Sequence, residues 1–489
     1  MSERDIPGLL KANFRAGAHP LDNEWNRRVI AFADDEGKSI FLVGGFLRDA
    51  VISPRRDALR DLDYAVEGGN AVLFARNLAE KLDGHFVLLD GANDTARVVV
   101  EDGTVLDFAG CVGGSIESDL RRRDFTINAL AWHQSHPDEL IDTVGAMRDI
   151  KDLQIRAISE SAFMDDPLRV LRAFRFSASL NATIDAKTLA WAKKHSGSLK
   201  NVAAERINLE LFTIFNGEKA GDVTNQLAFS GALEVIFPEL THCRKVTPNS
   251  FHHLGLFEHS IATVSELDAR LPQLPDWVKE KSGAELSHGV TRLAAARVAC
   301  ILHDIGKPDT WVITPEGKHT FVGHDKVGAE MTERIGERLK WSRPVERLIT
   351  KLVQWHLRPG QLFHQGPPTD KAVRRFYRNV GNDVPELMLV AFADLGATRG
   401  PGLMGENRIN LEKDLLALLL GYRDFIEELG RRSPLLNGND IMKLLSLPPG
   451  PIVGDLLKAL EEARDLKEVL NRSQAEDFIK RRYAETYSK

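Results

Sequence analysis

Short apolar runs separated by turn residues dominate the chain between residues 39 and 142. The first run ends at Gly44-Gly45, where a strand passes into a turn and then a helix. Asp102-Gly103, a hairpin-turn dipeptide, joins the last two runs. The predicted strands are residues 40–43, 62–66, 86–89, 98–100 and 105–108. This pattern predicts a mixed α/β domain.

The pattern changes after about residue 150, where the strand signals fade. Segments with the period and length of helices follow at residues 168–180, 206–215 and 294–302. Proline, glycine and polar residues that are typical of joints between domains occur at residues 237–238, 241–250 and 398–402. The predicted fold class is therefore α+β, with a mixed α/β head ahead of a mostly helical remainder.

The chain of 489 residues is longer than a single domain with one hydrophobic core, so about three or four folding units are expected. No apolar run approaches the roughly 20 residues that cross a bilayer, and charged residues interrupt the first 25 positions. We therefore expect a cytoplasmic protein without a membrane segment.

Cys111, Cys243 and Cys300 are too far apart for a metal pair. The net charge of −6 argues against a uniformly basic surface, so any RNA contact must depend on local clusters.

Asp61 and Asp63 lie two residues apart in a predicted strand, so their carboxylates point to one face. Asp107 adds a third carboxylate if its strand pairs beside theirs. Such a set can hold two Mg²⁺ ions that activate a hydroxyl and stabilise a leaving pyrophosphate. Considered alone, the aspartates can equally be exposed residues of turns or strand edges.

The segment 42–49, L-V-G-G-F-L-R-D, ends a strand and opens a helix. Backbone N–H groups at Gly44, Gly45 and the helix start can receive phosphate oxygens, and Arg48 adds a charged fork. Two glycines alone also form ordinary tight turns. Together with the D-x-D that follows, the string resembles the head of the class II tRNA nucleotidyltransferases, the family of CCA-adding enzymes and bacterial poly(A) polymerases.

Residues 121–130, R-R-R-D-F-T-I-N-A-L, are similar to the R-R-D-F-T-x-N-A segment of this family. In that reading Arg123 binds the incoming triphosphate. Asp124 and Asn128, four residues apart on a predicted helical turn, fix the ribose or brace the loop. A solvated basic cap on a helix explains the same charges if the rest of the pattern is ignored.

Residues 164–176 predict a helix start followed by arginine at every third position. The segment resembles the family's E-D-x-x-R motif, with Asp166 and Arg169 at the matching positions and Asp165 where glutamate is usual. The resemblance implies that Asp166 accepts a hydrogen bond from a base amino group and Arg169 donates to ring acceptors, which selects cytosine and adenine. Arg172 matches a further nucleotide-contacting position. In a purely structural alternative Asp166 caps the helix and the arginines are exposed.

Residues 205–210, E-R-I-N-L-E, look like the family's E-R-I-x-x-E segment, a neck helix thought to support the nucleotide pocket. In strict motif form the resemblance covers about residues 40–215. It implies the transfer of nucleotides to the 3′ end of tRNA without a nucleic-acid template.

The second half carries histidine and aspartate in the order H, HD, D of the HD-domain phosphohydrolases, at His259, His303, Asp304 and Asp394. Residues 301–308, I-L-H-D-I-G-K-P, look like the H-D-I-G core of those proteins. His324 and His356 fall where some HD proteins add ligands. These ligand types suit a divalent metal, although a lone histidine is more often structural. An HD domain attached to this family either hydrolyses phosphoesters or helps to hold tRNA, and both alternatives stay open.

The segment between the third carboxylate and the R-R-D string is short. Family members that complete CCA carry a flexible loop there, which helps the pocket to switch from CTP to ATP. Here only residues 108–120 separate Asp107 from Arg121, and each residue spans at most about 3.3–3.6 Å. The short segment resembles that of CC-adding members.

Three alternatives to CC addition remain: complete CCA addition, a poly(A) polymerase, and an HD phosphohydrolase with an inactive head. The basic G-[KR]-[KR]-F string of poly(A) polymerases is not found in residues 82–97. All three head aspartates are present, which argues against an inactive head.

The resemblance implies a polymerase beta-like head followed by all-α parts. The predicted domains are an N-terminal extension (residues 1–30), the head (31–150), a neck with the nucleotide-selecting motif (151–240), the HD domain (241–400) and a helical tail that contacts tRNA (401–489). The implied cofactors are Mg²⁺ in the head and a divalent metal in the HD domain. The implied partners are tRNA, CTP and ATP.

Overall fold

The computed structural model describes residues 9–14, 17–52, 61–247, 254–400 and 405–487. The chain divides into two compact units, residues 1–219 with 223–238 and residues 220–222 with 239–489. Two of the predicted joints fall partly outside the described residues, at 248–250 and 401–402, and so do residues 1–8 and 15–16 of the predicted N-terminal extension. No helix in the described ranges is long and apolar enough to cross a bilayer.

A mixed eight-stranded sheet forms the base of the first unit. Its strands are β1 (Leu9–Lys11), β2 (Ile40–Val43), β3 (Asp61–Val66), β4 (His85–Asp90), β5 (Thr95–Val99), β6 (Val105–Gly110), β7 (Leu130–Trp132) and β8 (Glu139–Asp142). They lie in the order β1-β8-β7-β2-β3-β6-β5-β4, with β3 and β6 parallel and the other neighbours antiparallel. All five predicted strands are confirmed, and β1, β7 and β8 are additional.

The head is completed by helices α1 (Glu24–Asp35), α2 (Gly45–Ile52), α3 (Ala71–Leu82), α4 (Ile116–Arg121) and α5 (Ala146–Lys151). Tyr64 of β3 stacks on Phe108 of β6 with ring centroids 5.1 Å apart, and Phe108 contacts Phe74 of α3. The Tyr64 hydroxyl donates to the buried Asn26 of α1 at 2.9 Å. Asp63 precedes Tyr64 along β3, so its side chain lies on the opposite face of the sheet.

The neck that follows is helical apart from one short parallel strand pair. Its elements are α6 (Ser161–Asp165), α7 (Arg169–Leu180), α8 (Ala186–His195), α9 (Ala204–Asn216), α10 (Ala220–Ser230) and α11 (Ala232–Ile236), with β9 (Gln154–Ile155) and β10 (Thr183–Ile184). Val170, Leu171 and Phe174 of α7 are buried, and α7 packs on α9. The predicted helices at residues 168–180 and 206–215 are confirmed.

The second unit is mainly α-helical. Its first part contains α12 (Leu240–Cys243), α13 (Leu256–Arg270), α14 (Asp276–Gly283), α15 (Arg292–Leu302), α16 (His324–Arg338), α17 (Arg343–Trp355), α18 (Arg358–Gln361), α19 (Asp370–Val380) and α20 (Val384–Ala397). Two hairpins interrupt these helices: β11 (Glu285–Ser287) with β12 (Val290–Thr291), and β13 (Val312–Ile313) with β14 (His319–Thr320). The core is built where α13, α15, α17 and α20 pack together.

The last helices are α21 (Glu406–Arg431), α22 (Gly438–Leu445), α23 (Pro451–Asp465) and α24 (Arg472–Tyr487). The final three share a small core that includes Ile441, Leu456, Leu460 and Ile479. The predicted α+β class, with a mixed α/β head and a helical remainder, is confirmed.

Candidate nucleotide pocket and candidate metal centre

A cavity of about 690 Å³ opens on the aspartate-bearing face of the head sheet. Its volume is typical of small-molecule pockets. Every head and neck residue that the sequence predicted for the site lines it: Gly44, Gly45, Arg48, Asp61, Asp63, Asp107, Arg123, Asp124, Asn128, Asp166, Arg169 and Arg172. The structure adds Asp49, Arg97, Arg175, Phe176 and Arg206. Seven arginines and six aspartates therefore line one cavity, which suits a polyanion that binds together with cations.

The aspartates converge because of the strand register. In the parallel pair of β3 and β6, Asp63 lies opposite Asp107. Burial and then repulsion from Asp107 raise the pKa of Asp63, although Arg123 opposes this. A set of oxygen donors in which one carboxylate resists ionisation is the kind of site that a hard dication neutralises. The residues present therefore fit Mg²⁺.

Arg97 was not predicted, and it binds the third carboxylate. It lies opposite Asp107 in the antiparallel pair of β5 and β6, with Nε donating to Oδ1 and Nη2 to Oδ2, both at 2.8 Å. The sequence contained a signal for this contact. The hairpin closes between Val100 and Thr104, so its loop is centred on residue 102 and residues 97 and 107, equally far from it, form a pair.

The turn between β2 and α2 requires glycine at position 44. Gly44 has φ of +76°, and a Cβ there would lie 2.9 Å from Oδ2 of Asp63 and 3.5 Å from Nη1 of Arg123. The turn therefore brings the backbone at the start of α2 against the carboxylates. Arg48 of α2 donates from Nη1 to Oδ1 of Asn128 at 2.7 Å, which joins this helix to the arginine segment.

Asp124 fastens the arginine segment to α7. It is buried, and it accepts hydrogen bonds from Nη2 of Arg172 at 2.6 Å and from Nδ2 of Asn128 at 3.0 Å. Burial opposes its ionisation, but Arg172 and Asn128 hold the pKa of Asp124 below its usual value. Arg123 pairs with Asp119, with Nη2 and Oδ2 3.0 Å apart. These contacts give Asp124 a bracing position.

Phe176 of α7 organises the arginines at one side of the pocket. The guanidinium carbons of Arg48, Arg172 and Arg175 lie 5.2, 5.4 and 3.9 Å from the centre of its ring. Arg175 also forms an ion pair with Glu210 of α9, with Nε and Oε2 2.7 Å apart. Cation–π contacts and ion pairs therefore hold the side chains of α7 in place.

The proposed base-reading residues lie where α6 meets α7. Oδ1 of Asp166 accepts the N–H of Leu168 at 3.1 Å, and Oδ2 accepts from Nη2 of Arg206 at 2.9 Å. Arg169 donates from Nη1 to the carbonyl oxygen of Ala162 at 3.3 Å. The carboxylate therefore has an arginine partner from the E-R-I-N-L-E segment, a contact that the sequence did not predict.

The second unit brings all six predicted HD residues together at helix ends and helix centres. His259 lies on α13 and Asp394 on α20, while the other four stand at or next to the ends of α15, α16 and α17. They form two groups in which the ligand atoms lie within 4.8 Å of one another: His259 with His303 and Asp394, and Asp304 with His324 and His356. Five of the six residues are buried. The two groups meet at the His303-Asp304 peptide.

Hydrogen bonds to the backbone orient three of the imidazoles. Nδ1 of His303, His324 and His356 lies 2.7 Å from the carbonyl oxygen three residues upstream in each case. Each Nδ1 therefore carries the hydrogen, and Nε2 faces the cluster. Nε2 of His303 and of His324 lies 3.2 Å from an oxygen of Asp304.

The charges of the imidazoles and carboxylates in this cluster depend on one another. Burial opposes ionisation of Asp394, yet the hydrogen bond to His259 and the charge of His303 hold its pKa well below the usual range. Burial lowers the pKa of His356, which favours the neutral imidazole. Imidazole nitrogens and carboxylate oxygens that converge at one place are the donor set of a divalent metal site. The residues therefore fit a metal.

The H-D-I-G glycine is explained by close packing. A Cβ on Gly306 would lie 2.3 Å from the carbonyl oxygen of His324 and 2.6 Å from the backbone nitrogen of Gly328. Any side chain would push the HD turn away from α16. Lys307 reaches back to Oδ2 of Asp304, with Nζ at 2.5 Å.

Known protein families match three stretches of the chain. Residues 90–156 match the Poly A polymerase head domain, residues 181–243 match the "Probable RNA and SrmB- binding site of polymerase A", and residues 278–395 match the HD domain.

Curated proteins match almost the whole chain. An A-adding tRNA nucleotidyltransferase of Deinococcus radiodurans is 33% identical over 91% of this chain and 96% of its own length. A CC-adding tRNA nucleotidyltransferase of Thermus thermophilus is 30% identical over 90% of this chain and 93% of its own length. Among solved structures, a Thermotoga maritima CCA-adding enzyme complexed with tRNA has the same fold, with a TM-score of 0.65 at 21% identity over 98% of this chain and 100% of that one.

Proposed function

The chain belongs to the tRNA nucleotidyltransferases, and on that premise we propose that it transfers CMP from CTP to the 3′ hydroxyl of tRNA. In this proposal it adds the two cytidines, releases pyrophosphate each time, and leaves the terminal adenosine to a second enzyme.

The proposal of CC addition rests on one structural observation. The segment between Asp107 and the arginine string contains the end of β6, a short 3-10 helix at Val112–Gly114 and α4. Ile116 and Leu120 of α4 are 1% and 0% exposed and pack in the head core. This segment therefore holds no free loop of the kind that helps CCA-completing members to exchange CTP for ATP.

In this proposal different residues of the pocket bind the metal ions, the triphosphate and the base. Asp61, Asp63 and Asp107 would hold the metal ions, which supply charge neutralisation and activation of the 3′ hydroxyl. Arg123 and the turn at Gly44 bind the triphosphate, because Gly44, Gly45 and the Arg123 side chain line the cavity beside the aspartates. The base lies at the α6–α7 junction.

Addition of the terminal adenosine alone is a second candidate. It is favoured by the relative named A-adding, whose identity of 33% exceeds the 30% of the relative named CC-adding. The experiment is incubation of the purified protein with labelled CTP or ATP and tRNAs that lack CCA, end in C, or end in CC. CMP on the first two tRNAs and no AMP on the third supports CC addition, whereas AMP on the third alone supports A addition.

For the second unit we propose a divalent metal centre that hydrolyses phosphoesters. His259, His303, Asp304 and Asp394 would hold the metal, with His324 and His356 as further ligands. A bound divalent ion would supply Lewis-acid activation of the phosphoester. The facing Nε2 atoms and buried carboxylates support this proposal.

Arg169→Ala is expected to loosen the choice among nucleotides more than it weakens tRNA binding. In the proposal Arg169 donates to base acceptors, and a good bidentate contact supplies about 1–3 kcal/mol of discrimination. Discrimination between CTP and UTP, measured as the ratio of kcat/KM values, should fall about 5- to 150-fold. Arg76→Ala, which removes an exposed arginine on α3 outside the pocket, is the matched control. An unchanged ratio in Arg169→Ala would count against base reading.

A further inference from the structure

The carboxylate proposed to read the base is held by an arginine from another helix. Arg206 of α9 approaches Asp166 with Nη2 2.9 Å from Oδ2 and Nη1 3.5 Å from Oδ1. Both side chains line the pocket, and they are 54% and 28% exposed. The pair therefore lies within reach of a bound nucleotide.

The contact leaves Asp166 able to accept more. Its Oδ1 receives the N–H of Leu168 and its Oδ2 the guanidinium of Arg206. Each carboxylate oxygen has two acceptor positions, so one position on Oδ2 stays available for a base amino group. Arg206 therefore orients the acceptor without using it up.

The helix α9 also contacts α7, one turn after Arg206. Glu210, four residues further along α9, is 6% exposed and forms an ion pair with Arg175. Residues four apart lie on one helix face, so a single face of α9 contacts both the start of the reading segment and the arginines behind it. The reading segment is thus braced at two points.

We propose that Arg206 is a positioning residue for nucleotide selection, which holds the Asp166 carboxylate where it accepts the amino group of cytosine or adenine. This inference rests on the proposed base-reading role of Asp166. Exposed ion pairs contribute little to stability, so loss of Arg206 acts on selection and not on folding. Uracil and guanine present a carbonyl oxygen at the position of that amino group, and a displaced carboxylate rejects them less strongly.

The test uses the full-length protein and measures kcat/KM for the nucleotide that the wild type incorporates and for its oxo counterpart, UTP against CTP or GTP against ATP. Arg206→Ala should lower the ratio about tenfold, mainly through KM of the correct nucleotide, with an unchanged thermal unfolding midpoint. Arg206→Lys, which keeps the charge, should recover most of the ratio. Arg76→Ala is the matched control and should leave the ratio unchanged.

Asp166→Ala, and a double variant that combines it with Arg206→Ala, test the role of Arg206 separately from base reading by Asp166. If Arg206 acts through Asp166, the double variant discriminates no worse than Asp166→Ala alone. Wild-type discrimination in Arg206→Ala beside a loss in Asp166→Ala would overturn the inference and leave base reading intact. Additive losses in the double variant would also overturn it. Wild-type discrimination in Asp166→Ala would remove base reading, and the role of Arg206 with it.

Discussion

Asp63→Asn is expected to lower the rate of nucleotide addition at least about a thousandfold, which corresponds to about 4 kcal/mol of lost transition-state stabilisation. Asp61→Asn should have the same effect. The reason is that each substitution removes a carboxylate ligand from the proposed Mg²⁺ site while keeping the size of the side chain. The measurement is single-turnover transfer of labelled CMP or AMP to tRNA at saturating Mg²⁺.

The same substitution should not weaken the fold. Burial and the neighbouring carboxylates raise the pKa of Asp63, so its ionisation costs the metal-free folded protein stability at pH values above the pKa of the unfolded chain. This cost shrinks as the pH falls toward the pKa of the unfolded chain and is absent below it. An uncharged asparagine should therefore keep or raise the Tm of the metal-free protein at neutral pH. Asp35→Asn, at the exposed end of α1, is the matched control and should change neither quantity. Near-normal transfer by Asp63→Asn would remove the assigned site.

Replacement of both His303 and Asp304 by alanine is expected to abolish tight metal binding by the second unit, together with any metal-dependent phosphoester hydrolysis. Nucleotide transfer should stay within about twofold of wild type, because the proposed transfer residues belong to the first unit. Metal content by mass spectrometry after dialysis, hydrolysis of bis(4-nitrophenyl) phosphate and CMP or AMP transfer are the three measurements.

Two further variants guard this prediction. Loss of the buried Asp304 leaves Lys307 without its carboxylate, so the milder Asp304→Asn keeps the shape of the site if the double variant unfolds. His242→Ala removes an exposed histidine of α12 and should retain metal and both activities. Equal loss of transfer and hydrolysis in a folded Asp304→Asn variant would show that the two sites are not independent.

The head could be predicted well because its pattern is local. Alternation along β3 placed Asp61 and Asp63 on one face, and the hairpin turn fixed the neighbouring strands. The sequence predicted Asp107 as a third carboxylate only if its strand pairs beside that of Asp63, and β3 and β6 do pair in this way. The strand β1 was missed because its three residues, Leu9–Lys11, carry too little periodicity to distinguish a strand from a loop.

Contacts that depend on tertiary packing could not be predicted. Arg206 lies forty positions after Asp166, on a different helix, and only the packing of α7 on α9 brings them together. In the second unit the order H, HD, D indicated one metal centre. The division of the six candidate ligands into two groups depends on how the helices that carry them pack. The backbone hydrogen bonds that orient the imidazoles also depend on the folded chain.

The choice of CC addition is tested most directly by the fate of a tRNA that already ends in CC. The protein is assayed without a second enzyme, at physiological ATP and Mg²⁺. The rate of AMP incorporation into this tRNA is compared with the rate of CMP incorporation from CTP into a tRNA that lacks CCA. CC addition predicts fast incorporation of two CMP residues into the second tRNA and AMP incorporation into the first that is at least about a hundredfold slower. Efficient AMP addition to the tRNA ending in CC would contradict CC addition, and it would identify the protein as an A-adding or complete CCA-adding member of the same family.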